Sequence, residues 1–100
     1  MHYNIKETIK HSSRAKEIDI NNIAMGLAFT DHMFICDYEN GQWNNPRIEP
    51  MELIPTHPAA MALHYGQAIF EGLKATLGND NTPLLFRPDQ NAKRLNFSAD

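Results

Sequence analysis

Only one cysteine, Cys36, occurs in the 100-residue sequence. That excludes an internal disulfide framework and leaves no second thiol for a cysteine-based zinc site. The histidines, His2, His11, His32, His57 and His64, lie too far apart for a local His-x-x-x-His ligand pair, so no metal site is expected. No apolar run approaches the roughly 20 residues that a membrane-spanning helix needs. The opening MHYNIKETIKHSS lacks the apolar stretch of a secretory signal, and the expected compartment is the cytoplasm. A basic surplus is missing too: 9 Lys and Arg against 12 Asp and Glu leave a net charge of −3. Without clustered positive charge there is no footprint for nucleic acid. Neither nucleic acid nor a membrane is expected as a partner.

What is present is the composition of an ordinary globular chain, with 42% hydrophobic and 21% charged residues. At this length it makes one domain at most, with about two thirds of its unfolded surface buried. The first sixteen residues have no clean period and carry the polar cluster His11-Ser12-Ser13-Arg14, which reads as a mobile leader or a peripheral strand. In the apolar stretch Ile23 to Phe29, the central Gly26 predicts a close turn. Met33 to Tyr38 reads as a strand, Asn40-Gly41 as a type I′ hairpin turn, and Trp43 to Met51 as the returning strand. Pro46 and Pro50 place that strand at an edge or interrupt it.

Ala59 to Phe70 is helix-compatible, shortened by Gly66, with Gly72 as a left-handed stop after Glu71. Leu73 to Leu77 and Pro83 to Phe86 flank Gly78-Asn79-Asp80-Asn81 as a second hairpin. Pro88 and Asp89 suit the start of a helix whose inner face is marked by Ala92, Leu95 and Ala99. The fold class is therefore α+β, an antiparallel sheet of hairpins with short helices. The helical pattern runs to Asp100 without a glycine, asparagine or proline to stop it, and a longer protein is expected.

Few side chains suggest chemistry. Arg94, a permanent cation with a planar fork of donors, suits a phosphate dianion, while composition alone favours a surface arginine paired with Asp89 or another neighbour. Arg87, beside Pro88, is the weaker of the two. Tyr65 and Phe70, five apart with Gly66 and Gly72 beside them, can bracket a bend and wall an apolar pocket, or be ordinary core. His64 and Glu71 read as structural. Lys74 and Lys93 have no surroundings that argue for the burial a Schiff-base lysine needs. Asp31 and His32 are adjacent in sequence, which does not supply acid–base geometry. They read as a loop-to-strand junction in which Thr30 or Asp31 bonds backbone groups.

Three blocks, FTDHMF at 29–34, ALHYGQAIFEGLKA at 62–75 and LFRPDQNAKRLNFSA at 85–99, resemble the N-terminal part of the branched-chain amino-acid aminotransferases. These are pyridoxal 5′-phosphate enzymes of fold type IV. The resemblance implies that residues 21–100 are an incomplete form of the family's smaller N-terminal domain, with 1–20 a peripheral segment. It implies cofactor binding through Arg94, at the cofactor phosphate, and a substrate pocket touched by Tyr65, Phe70 and Gly72. Met25 stands where many members carry an aromatic, and its thioether keeps that contact apolar. The implied reaction moves the amino group of leucine, isoleucine or valine to 2-oxoglutarate, in an enzyme that is a homodimer when full length. The catalytic Schiff-base lysine and the acidic partner of the cofactor ring belong to the family's C-terminal domain, so none of the residues here fills either role. The chain alone is expected to be inactive. Other readings are a related type IV enzyme, such as a D-amino-acid aminotransferase or an aminodeoxychorismate lyase, and a non-catalytic interaction domain.

Overall fold

The structure, a computed structural model, describes residues 3–100. Met1 and His2, the start of the expected peripheral segment, lie outside the described residues. The chain divides into two compact units, Met1–Pro55 and Thr56–Asp100.

The first unit is a three-stranded sheet of β1 (Lys6–Glu7), β2 (His32–Glu39) and β3 (Gln42–Pro50), in the order β1-β3-β2. Strands β2 and β3 form the expected hairpin. Its turn residues Asn40 and Gly41 have φ of 54° and 80°, the two positive values that a type I′ turn requires and that asparagine and glycine tolerate. A Cβ built on Gly41 would meet nothing within 4 Å. Alanine there would therefore cost only left-handed backbone strain, about 1 kcal/mol.

The prolines of β3 interrupt the strand but do not place it at an edge. Ile35 pairs with Arg47 and Asp37 with Asn44, so Asn45 and Pro46 bulge opposite Cys36. Asn45 takes a φ of 51°, and the missing N–H of Pro46 falls where the ladder is already broken. Strand β1 lies parallel to β3 only at Arg47 and Ile48, beyond that break, which is why β3 can be central despite its prolines. The Arg47 guanidinium braces the bulge. Its Nη1 donates to Asp37 Oδ2 at 2.7 Å and to the Asn45 carbonyl at 3.0 Å, and its Nε lies 3.3 Å from Glu49 Oε1.

The polar cluster expected to be a mobile leader is tied down instead. The Ser13 hydroxyl donates to Asp31 Oδ2 at 2.6 Å and the Arg14 backbone N–H to Asp31 Oδ1 at 3.0 Å. The Lys10 N–H donates to His32 Nε2 at 2.9 Å. Donation from Ser13 first, then from the Arg14 backbone, holds the Asp31 carboxyl below the usual carboxylate range. The Thr30 hydroxyl donates to the His32 carbonyl at 2.6 Å. Asp31 and His32 thus serve the loop-to-strand junction. Upstream of that junction, a turn from Ala24 to Leu27 closes through Leu27 N–H on the Ala24 carbonyl at 3.2 Å, with Gly26 at φ 80°, as its sequence predicts.

The second unit contains α1 (Met61–Tyr65), the hairpin β4 (Ala75–Leu77) and β5 (Pro83–Leu85), and α2 (Pro88–Ala99). Helix α1 is shorter than the pattern from 59 to 70 suggests. Gly66, at φ 62°, turns left-handed and sends its N–H back to the Met61 carbonyl, a glycine stop placed six residues before Gly72. Gly72 itself has no positive φ. The hairpin forms where expected but shorter, because Asn81 at φ 61° and the Gly78 N–H on the Thr82 carbonyl at 2.9 Å close the loop. In α2, Pro88 fills the first position. The half-buried residues of that helix are Asn91 and Leu95, one turn apart on one face. Ala92 and Ala99 are exposed, so the inner face is rotated from the expected one.

The architecture is α+β, with two antiparallel hairpins and one short parallel pairing. Among the described residues, no side chain is buried. The accessible area is 9595 Å² for 11.4 kDa, whereas two separate compact bodies of half that mass would expose roughly 7,000 Å² between them. No helix among the described residues is long and apolar enough to cross a membrane, and no group of three His, Cys, Asp or Glu residues is placed to hold a metal ion.

Candidate functional site

The densest polar constellation in the second unit joins Arg94 to residues 71 and 72. Helix α2 presents Asn91 and Arg94 three positions apart, on neighbouring points of one face. The segment after α1 lacks regular structure and delivers Glu71 to them. Arg94 Nε donates to Glu71 Oε2 at 2.5 Å and Arg94 Nη2 donates to Glu71 Oε1, which gives a bidentate fork. Glu71 Oε1 also accepts from the Gly72 N–H at 3.0 Å and from Asn91 Nδ2 at 3.1 Å. The same Asn91 amide donates to the Gly72 carbonyl at 2.8 Å. The Glu71 side chain is 11% exposed and that of Arg94 68%.

Donation from Arg94 is the largest cause of the depressed Glu71 pKa, brought down from 4.5 to about 2, with Asn91, the Gly72 N–H and the Arg94 charge adding to it against partial desolvation. Glu71 in turn raises the Arg94 pKa, first by hydrogen bonding and then by charge. A carboxylate whose folded pKa is depressed contributes stability that is complete above its unfolded pKa and is lost as pH falls through the folded one. The clasp is therefore expected to weaken progressively below the ordinary 4.5 and to be lost near pH 2. A carbon-13 titration of the Glu71 carboxylate checks this: a midpoint at the ordinary value would contradict it.

The structure brings together Arg94 and Gly72, two of the residues singled out from sequence, through Glu71. The partner of Arg94 is this glutamate, 23 positions upstream, and not Asp89. Phe70 and Tyr65 belong to the same unit, but they are 92% and 76% exposed. Met25 belongs to the first unit, at the tip of the Ala24–Leu27 turn, and is 100% exposed. Lys74 and Lys93 are exposed. Arg87 caps α2 from a left-handed conformation at φ 47° without a side-chain cap bond. His64 Nε2 donates to the Pro58 carbonyl at 2.7 Å, a structural tie across α1.

Sequence reasoning took Glu71 as structural and did not single out Asn91. The available signal was the three-residue spacing of Asn91 and Arg94 on a helix, which puts an amide donor beside any acceptor that the arginine engages. Chemically, a guanidinium has five N–H donors. Glu71 occupies the Nε edge, and among the described residues the edge formed by Nη1 and Nη2 has no partner.

No family model matches the chain. Individual relatives do. Over 99 residues, 95% of its length, the chain is 46% identical to branched-chain-amino-acid aminotransferase 2 of Bacillus subtilis, covering 27% of that protein. It is 51% identical over 83 residues to branched-chain-amino-acid transaminase 1 of the same organism, 82% of this chain and 23% of that one. It is 46% identical over 85 residues to the cytosolic branched-chain-amino-acid aminotransferase of Rattus norvegicus, 84% of this chain and 21% of that protein. The chain thus spans about a quarter of the length of the curated relatives it matches. Across that quarter, the chain belongs to the branched-chain amino-acid aminotransferases.

Proposed function

We propose that this chain is the part of a branched-chain aminotransferase of fold type IV that anchors the cofactor phosphate and walls the substrate pocket. The observation that carries the reading is an exposed Arg94 whose Nε edge is fixed by Glu71, while its Nη1–Nη2 edge has no partner among the described residues. A planar fork of this kind, with a charge that persists at any physiological pH, fits a phosphate dianion. Pyridoxal phosphate, held there by Arg94, supplies the electron sink for amino transfer.

This chain's own residues would bind and orient. Tyr65 and Phe70, both exposed, would form the apolar wall for a leucine, isoleucine or valine side chain. By the family resemblance, Gly72 and Met25 would also touch the substrate side chain. In this reading the lysine that attaches the cofactor and moves the Cα proton lies outside residues 1–100, and the chain alone is inactive. Residues 1–20 are a peripheral segment and 21–100 an incomplete domain. The full-length enzyme is a homodimer that passes the amino group to 2-oxoglutarate. Its cytoplasmic placement is supported by the cytosolic rat relative.

The test is amino transfer by the full-length product of the gene, with 2-oxoglutarate as acceptor. Leucine, isoleucine and valine are the expected donors. Turnover of D-alanine in their place would move the assignment to a related type IV enzyme, and a ligand-independent assembly without transfer would favour an interaction domain.

A further inference from the structure

We propose that Glu71 and Asn91 are positioning residues that aim the free edge of Arg94 at the phosphate, an inference that rests on reading Arg94 as the phosphate contact. A long, exposed arginine has several rotatable bonds, and left alone its fork would sample many directions. Here the guanidinium plane is set by two hydrogen bonds to one carboxylate. That carboxylate is itself fixed. It is nearly covered, and Glu71 Oε1 takes the Gly72 N–H at 3.0 Å and Asn91 Nδ2 at 3.1 Å as well as Arg94. Asn91 closes the frame by donating to the Gly72 carbonyl at 2.8 Å. The frame therefore links α2, which carries the phosphate contact, to the turn that carries Phe70 and Gly72. Glu71 Oε1 thus takes three donors and Oε2 one, and the role assigned to this carboxylate is orientation.

Two effects of Glu71 oppose one another, and their signs separate the possibilities. Its negative charge repels a phosphate dianion, and by charge alone removal would tighten phosphate binding. Its hydrogen bonds fix the fork, and by positioning removal would loosen phosphate binding because the arginine must then be ordered on each encounter. The inference is that positioning wins.

The experiment compares the affinities of the full-length product for pyridoxal phosphate and for pyridoxal, which lacks the phosphate, by quenching of protein fluorescence. The ratio isolates the phosphate contribution. In Glu71→Gln the ratio is expected to fall roughly threefold or more, the scale of an exposed charge pair, with pyridoxal affinity unchanged. Asn91→Ala leaves the fork but releases Glu71, and a smaller fall is expected. A ratio that is unchanged or higher in Glu71→Gln overturns the proposal, as does an equal loss of both affinities, which marks a merely structural role. If Glu71→Gln does not fold, Asn91→Ala decides by the same criteria. An undiminished ratio in Arg94→Ala removes the phosphate reading itself, and this inference with it.

Discussion

Heated as an isolated 100-residue chain, the protein is expected to show no cooperative unfolding endotherm. A folded domain of this size absorbs about 70 kcal/mol at its midpoint, heat that comes from disrupting a packed interior. Among the described residues here, none is buried. The exposed set includes Trp43 at 59%, Phe70 at 92%, Phe86 at 84% and Phe97 at 81%, side chains that dominate the cores of complete domains. Two-stranded hairpins such as β4–β5 are marginal in water unless a third layer covers them, and a five-residue α1 falls well below the length at which helices persist alone.

Apolar surface on this scale marks an interaction face or an aggregation hazard. The chain is therefore also expected to bind apolar dyes strongly and to self-associate, with Trp43 emission at a solvent-like wavelength that heating barely shifts. Calorimetry decides the matter. A flat, gradual trace agrees with apolar surfaces left open in this chain, whereas a sharp endotherm near the full value would mean that the chain closes a core of its own.

Local features of this fold were legible from sequence, because local chemistry decides them. Asn40-Gly41 announced a turn with two positive φ values, Pro88 announced the first residue of α2, and Gly26 announced its turn. The elements that shifted were those settled by competition between neighbouring signals or by distant partners. Gly66 and Gly72 both offered a helix stop, and the earlier one ended α1. Pro46 and Pro50 predict an edge strand or an interrupted one, and the structure has the interruption. A bulge at Asn45 removes the ladder position that the proline would have spoiled, and no periodicity reports where a bulge falls. The polar run at Ser13-Arg14 looked mobile because its partner, Asp31, is distant in sequence.

The site divides along the same line. Arg94 was legible as a fork-bearing cation suited to a phosphate or a surface ion pair, and Gly72 as a helix stop; their site roles came from the family resemblance. Their meeting depends on Glu71, which pairs with Arg94 across a hairpin. A contact of that sequence separation leaves no periodic trace. From residues alone, the choice between a phosphate contact and a surface ion pair stayed open. The structure gives Arg94 an ion pair with Glu71 on its Nε edge, a pairing that is compatible with the proposed phosphate contact on the other edge.

The other large effect concerns the cofactor. One charge-assisted contact contributes about 1.5–3 kcal/mol, while micromolar binding requires about 8 kcal/mol. On the proposed reading, in which this chain supplies one phosphate contact and part of a pocket wall, it is expected to bind pyridoxal phosphate weakly. It is also expected to form no stoichiometric lysine adduct, since Lys74 and Lys93 are both exposed and lack the desolvation that activates a lysine toward an aldehyde.

The most direct measurement is borohydride reduction in the presence of pyridoxal phosphate, followed by peptide mapping, on the 100-residue chain and on the full-length product of the gene side by side. The account predicts no stoichiometric adduct on the short chain, and in the full-length product one adduct on a lysine outside residues 1–100. A stoichiometric adduct on Lys74 or Lys93, or a gene product that ends at Asp100, would contradict it.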